Sequence, residues 1–267
     1  MKRIKHSALI LILIFAAMMT LQGCVATTDP EKDTSVIENA YLVDKETGEF
    51  TSVAIIQNNE KDTIRENMYM GFAYDENGES IASYEVEENG MVVDCCLFDV
   101  INWLGSGEKT VIAHSSRHGV SHYNEGHNIQ DFYTSIPDKL EWKASGLGYD
   151  SMLKPHGLSI TDYTETYSEF GYLEYEVTVH NGSETDYTYN STLDALMSDT
   201  RGFILNIVAV YRDSEGNIRD FEEMRPEYEK DGGIAAGSDA TYKLYANDVL
   251  EADLTPEFYL TVQWASH

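Results

Sequence analysis

The feature that most narrows the fold is an alternation of period two, carried by several short runs of the chain. In "YLEYEVTVH", Leu173, Tyr175, Val177 and Val179 alternate with Glu174, Glu176, Thr178 and His180. Successive side chains leave a strand on opposite sides, so this run suits a strand with one buried and one wet face. By the same rule Phe258, Leu260, Val262 and Trp264 face inward, with Tyr259, Thr261 and Gln263 outward. Leu140, Trp142 and Ala144 repeat the pattern against Glu141 and Lys143. Residues 203–211 are apolar on both sides and read as a central strand of a packed sandwich. The 18 Tyr among 267 residues suit strands.

These runs recur in a fixed order. "AYLVDKETGEFTSVAIIQNN" (40–59) lies against "DYTETYSEFGYLEYEVTVHN" (162–181) at a constant offset of 122, which puts Tyr41 on Tyr163 and Asn59 on Asn181. The same offset matches Trp142 to Trp264. Between them, Asp75-Glu76-Asn77-Gly78 answers Asp213-Ser214-Glu215-Gly216, and Gly107-Glu108 answers Gly237-Ser238. Asp-x-x-Gly after an apolar run is hairpin chemistry, because Gly accepts the positive φ the turn needs. The fold expected is all-β, two tandem immunoglobulin-like β-sandwich domains at 36–145 and 157–267, joined by a linker at 146–156. In the second unit "YNSTLDALMSDTRG" (189–202) is an excess segment, expected to hold a short helix starting near Ser191.

The order of strand, Asn-rich turn, strand ending in Asp-x-x-Gly, and Gly-acidic step resembles the FxLYD-type and related immunoglobulin-like modules of Gram-positive lipoproteins. The residues carrying it are "FTSVAIIQNN…FAYDENGESI…GSGEKTVI" and "LEYEVTVHNG…AVYRDSEGNI…AAGSDATYKL". The naming run itself is broken, reading Phe72-Ala73-Tyr74-Asp75 and Val210-Tyr211-Arg212-Asp213. The resemblance implies binding or display, not a reaction.

The amino terminus points to export. Lys2, Arg3 and Lys5 precede an apolar run at 8–19 that is short for a membrane span, the layout of a signal peptide. The run ends in Leu21-Gln22-Gly23-Cys24, which resembles the lipobox of bacterial lipoproteins. That resemblance implies cleavage after residue 23, diacylglycerol on the Cys24 sulfur, and a lipidated tether at 24–35. Two acyl chains suffice for stable anchoring. The chain carries 18 basic against 46 acidic residues, and the signal peptide holds three of the basic ones and none of the acidic. Such a surface repels phosphate backbones, so no nucleic-acid partner is expected. Membrane attachment is expected to rest on the acyl chains, at the outer face of the cell membrane.

Two clusters remain. "HSSRHGVSHYNEGH" holds four of the eight histidines, His114, His118, His122 and His127. It lies in an insertion: Gly107 to Pro137 is 30 positions, against 19 from Gly237 to Pro256. Neutral imidazoles bind zinc, copper or nickel, so the insertion is a metal-site candidate. Its Ser and Gly argue against a helix that would gather them, and the alternation from Thr110 points His114 to solvent opposite Ala113. Cys95 and Cys96, in "MVVDCCLFDVINWL", sit where the second unit has "FEEMRPEYEKDGGI". Neighbouring cysteines pair only as a strained ring, so buried thiols are the default, with a redox or ligating pair the alternative. The sequence lacks Gly-x-Ser-x-Gly, His-Glu-x-x-His, a phosphate-binding Gly loop and Cys-x-x-Cys, and no enzyme is expected. The reading is a membrane-anchored, non-enzymatic binding or structural module for a protein, cell-wall or envelope partner, with no cofactor beyond the acyl lipid. The alternatives are metal capture by 114–127 and an accessory or sensory subunit of a membrane complex.

Overall fold

The computed structural model describes residues 35–82, 84–86, 91–93, 95–116, 128–146, 148–170, 173–188, 202–224, 233–245 and 253–265. The first half contributes β1 (Val36–Val43), β2 (Phe50–Gln57), β3 (Thr63–Tyr74), β4 (Tyr84–Val86), β5 (Met91–Val93), β6 (Cys95–Leu104), β7 (Lys109–Ser115), β8 (Lys139–Gly146) and β9 (Tyr149–Asp150). The second contributes β10 (Leu158–Tyr167), β11 (Leu173–Asn181), β12 (Tyr187–Thr188), β13 (Gly202–Arg212), β14 (Ile218–Met224), β15 (Gly233–Ile234), β16 (Asp239–Tyr245) and β17 (Thr255–Ala265). The chain is all-β; one 3-10 turn, Ile129–Asp131, is the single helical element among the described residues. The helix expected within 189–202 lies outside the described residues, apart from Gly202 in β13.

Four sheets carry the structure. Sheet I is β1-β2-β7; sheet II is β6-β3-β8, with β9 also pairing β3; sheet III is β14-β13-β17; sheet IV is β10-β11-β16. Every strand pair is antiparallel, and β4–β5 and β12–β15 add two-stranded ribbons. Sheets I and II close on one core, in which Phe50, Ala54, Ile56 and Ile112 meet Tyr69, Leu97, Leu140 and Trp142. Sheets III and IV close on a second, in which Leu205, Ile207 and Leu260 meet Tyr175, Val177 and Leu244. Each pair is sandwich-like, as the alternation requires.

A third core joins the halves. Val53, Ile55 and Val111 on the other face of sheet I pack against Val208, Val210, Ile218, Phe221 and Tyr259 on the other face of sheet III. The stack therefore runs II, I, III, IV, and the two middle sheets are covered on both faces. This explains why β2 is buried at seven successive positions, 50 to 56. β13 is the central strand expected at 203–211, and Val208 and Val210 are buried on its second face because sheet I covers them. The stacking also corrects two expectations from the sequence. Tyr259, expected outward, is 6% exposed in the third core. His114, expected to meet solvent, is 5% exposed, because the face of β7 opposite Ala113 is the first half's own core. Burying these aliphatic side chains stabilises by about 1.5–3 kcal/mol each, so the third core holds the halves firmly.

Polar pairs lock the same junction. Thr110 Oγ1 donates to the Leu260 carbonyl at 2.8 Å. Arg212 sends Nη1 and Nη2 to the two oxygens of Glu38 at 2.7 and 2.8 Å, and Nε to Glu257 at 2.8 Å. The fork matches the planar carboxylate, and its hydrogen bonds to Glu38 hold the guanidinium pKa above its usual value.

Hydrogen-bond geometry recurs in the two halves, with the register moved from the alignment by sequence. Asn58 Nδ2 donates to Asp62 and Leu104 carbonyls, its Oδ1 accepts Glu60 N–H, and its own carbonyl accepts Gly107 N–H. Asn181 does the same with Thr185, Ile234, Ser183 and Gly237. Asn58, not Asn59, is therefore the counterpart of Asn181. Tyr41 pairs with Ser52, whereas Tyr163 pairs with Val177 next to the β10 bulge, so those two tyrosines do not correspond. Trp142 lies opposite Gly71 and Trp264 opposite Phe203, and the strand position equivalent to Trp142 is held by Phe258, opposite Ala209. The Asp-x-x-Gly turns do correspond: Asp75 Oδ1 accepts Asn77 and Glu79 amides, Asp213 Oδ1 accepts Glu215 and Asn217 amides. Gly78 and Gly216 take φ of 78° and 86°, which residues with a Cβ avoid.

Candidate binding cleft

The segment between the halves, 151–157, is fixed from both sides. Trp103, at the end of β6, reaches into the second half's core, and its Nε1 donates to the Lys154 carbonyl at 2.8 Å. Tyr187 Oη donates to the His156 carbonyl at 2.7 Å. Between them His156 is 4% exposed, edge-on to Trp103 at 5.8 Å. Its Nδ1 accepts the Leu158 amide at 3.0 Å, which places the ring proton on Nε2, and Nε2 meets Glu108 Oε2 at 3.0 Å.

Glu108 begins the step into β7. Burial pushes its carboxyl up, but hydrogen bonds from His156 and from the amides of Gly105 and Gly157 outweigh this and hold it below its usual pKa. The pair is part of the lining of a cleft of about 300 Å³ between the halves. Leu158, Ile160, Phe258 and Leu260 supply apolar lining, Tyr259 a buried hydroxyl, and Lys109 and Glu257 the charged groups. Burial raises Glu257 too, and hydrogen bonds from Tyr259 and Arg212 reverse the effect, so it stays anionic. Apolar walls with a few fixed charges at a junction are the usual make-up of a binding site. The arrangement can hold a small polar group.

Of the metal candidates, His114 alone lies within the described residues. Its ring stacks on Trp142 at 5.1 Å, its Nε2 is 3.6 Å from Asp99 Oδ2, and Trp142 Nε1 donates to Ser52 Oγ. It packs the first half's core rather than standing in a loop. His118, His122 and His127, the lipobox Leu21, Gln22 and Gly23, the acceptor Cys24 and the tether lie outside the described residues. Cys95 and Cys96 belong to β6 by their backbone, and their side chains lie outside the description. Among the described residues no group of three or more His, Cys, Asp or Glu side chains is placed to hold a metal ion, and no helix is long and apolar enough to cross a membrane.

The alternation did not single out His156 or Glu108. The signal available was the Gly-acidic step at Gly107-Glu108, where the second half has Ser238, a polar side chain too short to reach a linker. No protein-family model matches the chain, and no curated protein matches it.

Proposed function

We propose that the protein is a lipid-anchored binding and structural module of the outer membrane face, built as two tandem immunoglobulin-like sandwiches. Supporting the sandwich assignment, each half divides its main strands into two three-stranded sheets and closes a buried Asn against a Gly turn in the same way. The signal-like amino terminus and Leu21-Gln22-Gly23-Cys24 support the anchor. The observation that carries the binding role is the junction: a third apolar core makes the halves one body and leaves a cleft lined in part by Glu108 and His156. A display module needs such a composite surface held at fixed geometry. A protein or cell-wall component is the partner class, recognised at the cleft.

The test is direct. Labelling cells with a palmitate analogue should tag the wild-type chain and not Cys24→Ser. A photo-crosslinker at Lys109, on the cleft rim, should give a discrete adduct in intact membranes, and one at Thr178 on sheet IV should not. Turnover of a substrate by the purified chain, abolished by one substitution, would end the reading.

A further inference from the structure

The internal junction supplies a rule for what may cover the remaining sheet faces. Counting from the shared Asp turn, Met70, Phe72 and Tyr74 on β3 occupy the positions of Val208, Val210 and Arg212 on β13. Through the strand pairing, Glu141 and Lys143 on β8 occupy those of Glu257 and Tyr259 on β17. The outer face of sheet II is thus the counterpart of the face that sheet III buries against sheet I. It has kept an apolar character: Phe98 is 54% and Met68 38% exposed, with Met70, Phe72 and Val100 half-buried around them. Such clustering on a sheet face marks an interaction surface.

The opposite end of the stack does not offer a matching surface. Where sheet I presents Val53, Ile55 and Val111, sheet IV presents Glu176, Thr178 and Thr241. Head-to-tail extension of the stack is disfavoured, because sheet IV would have to bury the exposed Glu176 carboxylate against an apolar face. The face of sheet II is, however, complementary to itself. Along β8 it carries Lys139, Glu141 and Lys143, with Lys143 Nζ 3.4 Å from Glu141 and lying over the rings of Phe72 and Tyr74 at 5.5 and 5.4 Å. A two-fold axis across the strand at the level of Trp142 sets Glu141 of one copy opposite Lys143 of the other, twice, around the Met70–Phe72–Phe98 centre. That is the isologous arrangement most soluble dimers use. In a chain of net charge −28 it is also a face where like charges do not meet.

We infer that the outer face of sheet II is the contact surface for a second copy of this chain, packed sheet to sheet about that two-fold axis. The contact rests on the folded halves and not on the anchor, so it forms whether or not Cys24 is acylated.

The experiment uses the full chain, made with ordinary nitrogen and with ¹⁵N, mixed in equal amounts and reconstituted in lipid vesicles. Carbodiimide should join Lys143 to Glu141 between light and heavy chains. Phe98→Asp should cut that mixed-isotope product at least tenfold; Phe98 is exposed, so unchanged circular dichroism would show the fold intact. Lys143→Glu should abolish it, and adding Glu141→Lys should restore it, a rescue that damage to the fold would not give. Absence of the mixed-isotope product from wild type, a yield unaffected by Phe98→Asp, or failure of the charge swap to rescue would each overturn the proposal. Coupling of this face in native membranes to another protein instead of a second copy would also overturn it.

Discussion

The two inner sheets and the two outer sheets are made of the same kinds of strand and are covered differently. β2 and β13 are apolar on both faces, and each sits between two cores. β11, in sheet IV, keeps Tyr175, Val177 and Val179 inside and shows Glu176 to solvent. The number of layers over a strand is therefore written in its residue pattern: one covered face alternates, two covered faces run apolar. The edge strands differ as well. Asn39 on β1 donates to the Leu140 carbonyl and accepts Trp142 N–H, tying the two sheets of the first half together. At the corresponding place in the second half Tyr163 rests on Phe258 at 4.9 Å, an aromatic contact without that tie.

The contrast is open to direct challenge. The largest effect is expected from Ile55→Asp, which puts a charge with no partner in the third core. It should destabilise by about 4 kcal/mol or more, against under about 1 kcal/mol for Thr178→Asp at the equivalent place on sheet IV. Urea unfolding followed by tryptophan fluorescence decides it; equal losses at the two sites would break the distinction between inner and outer sheets. Asn181→Ala should come next, at about 2–4 kcal/mol, since it leaves a strand–turn junction short of four hydrogen bonds. Asn58→Ala should match it if the halves are true structural repeats.

Glu108→Gln sharpens the comparison at the cleft, where the segment between the halves is held by a buried carboxylate–imidazole hydrogen bond and not by apolar area. It should cost about 1–3 kcal/mol at neutral pH. Because the folded carboxyl pKa is depressed, its contribution is present above the ordinary glutamate value of 4.5 and is lost as pH falls below it, through the lower folded value. Wild type and variant should accordingly converge in stability at acid pH, as thermal melts across pH would show. The smallest effect is expected at the Arg212–Glu38 pair of the junction. Side chains of Arg212 and Glu38 are 20% and 39% exposed, so a double-mutant cycle should return a coupling under about 1 kcal/mol that shrinks with salt.

Much of the fold was legible from particular residues. The alternation at 173–180 located β11, and Asp75 and Asp213 located two turns whose capping bonds are the same. The pairing register was less so: a stretch with two adjacent asparagines, Asn58 and Asn59, aligns equally well with Asn181 on either one. Only the closing bonds to Leu104 and Ile234 choose between them. Of the cleft, Glu108 stood at a recognisable step, while His156 carried no local mark, because its partners come from 103, 108, 158 and 187.

What the sequence determined by itself is the class of structure: strands, their hairpin turns and their repetition follow from side-chain period and glycine placement, which are local properties of the chain. The tertiary structure alone decided which face meets which. Val53 and Val210 lie far apart in sequence and are equally apolar, and nothing in either specifies the other. Burial of apolar area is non-directional, so it favours covering each face without naming the cover. The choice comes from shape and from the polar pairs, Thr110 with Leu260 and Glu38 with Arg212, that form only once the two halves have met.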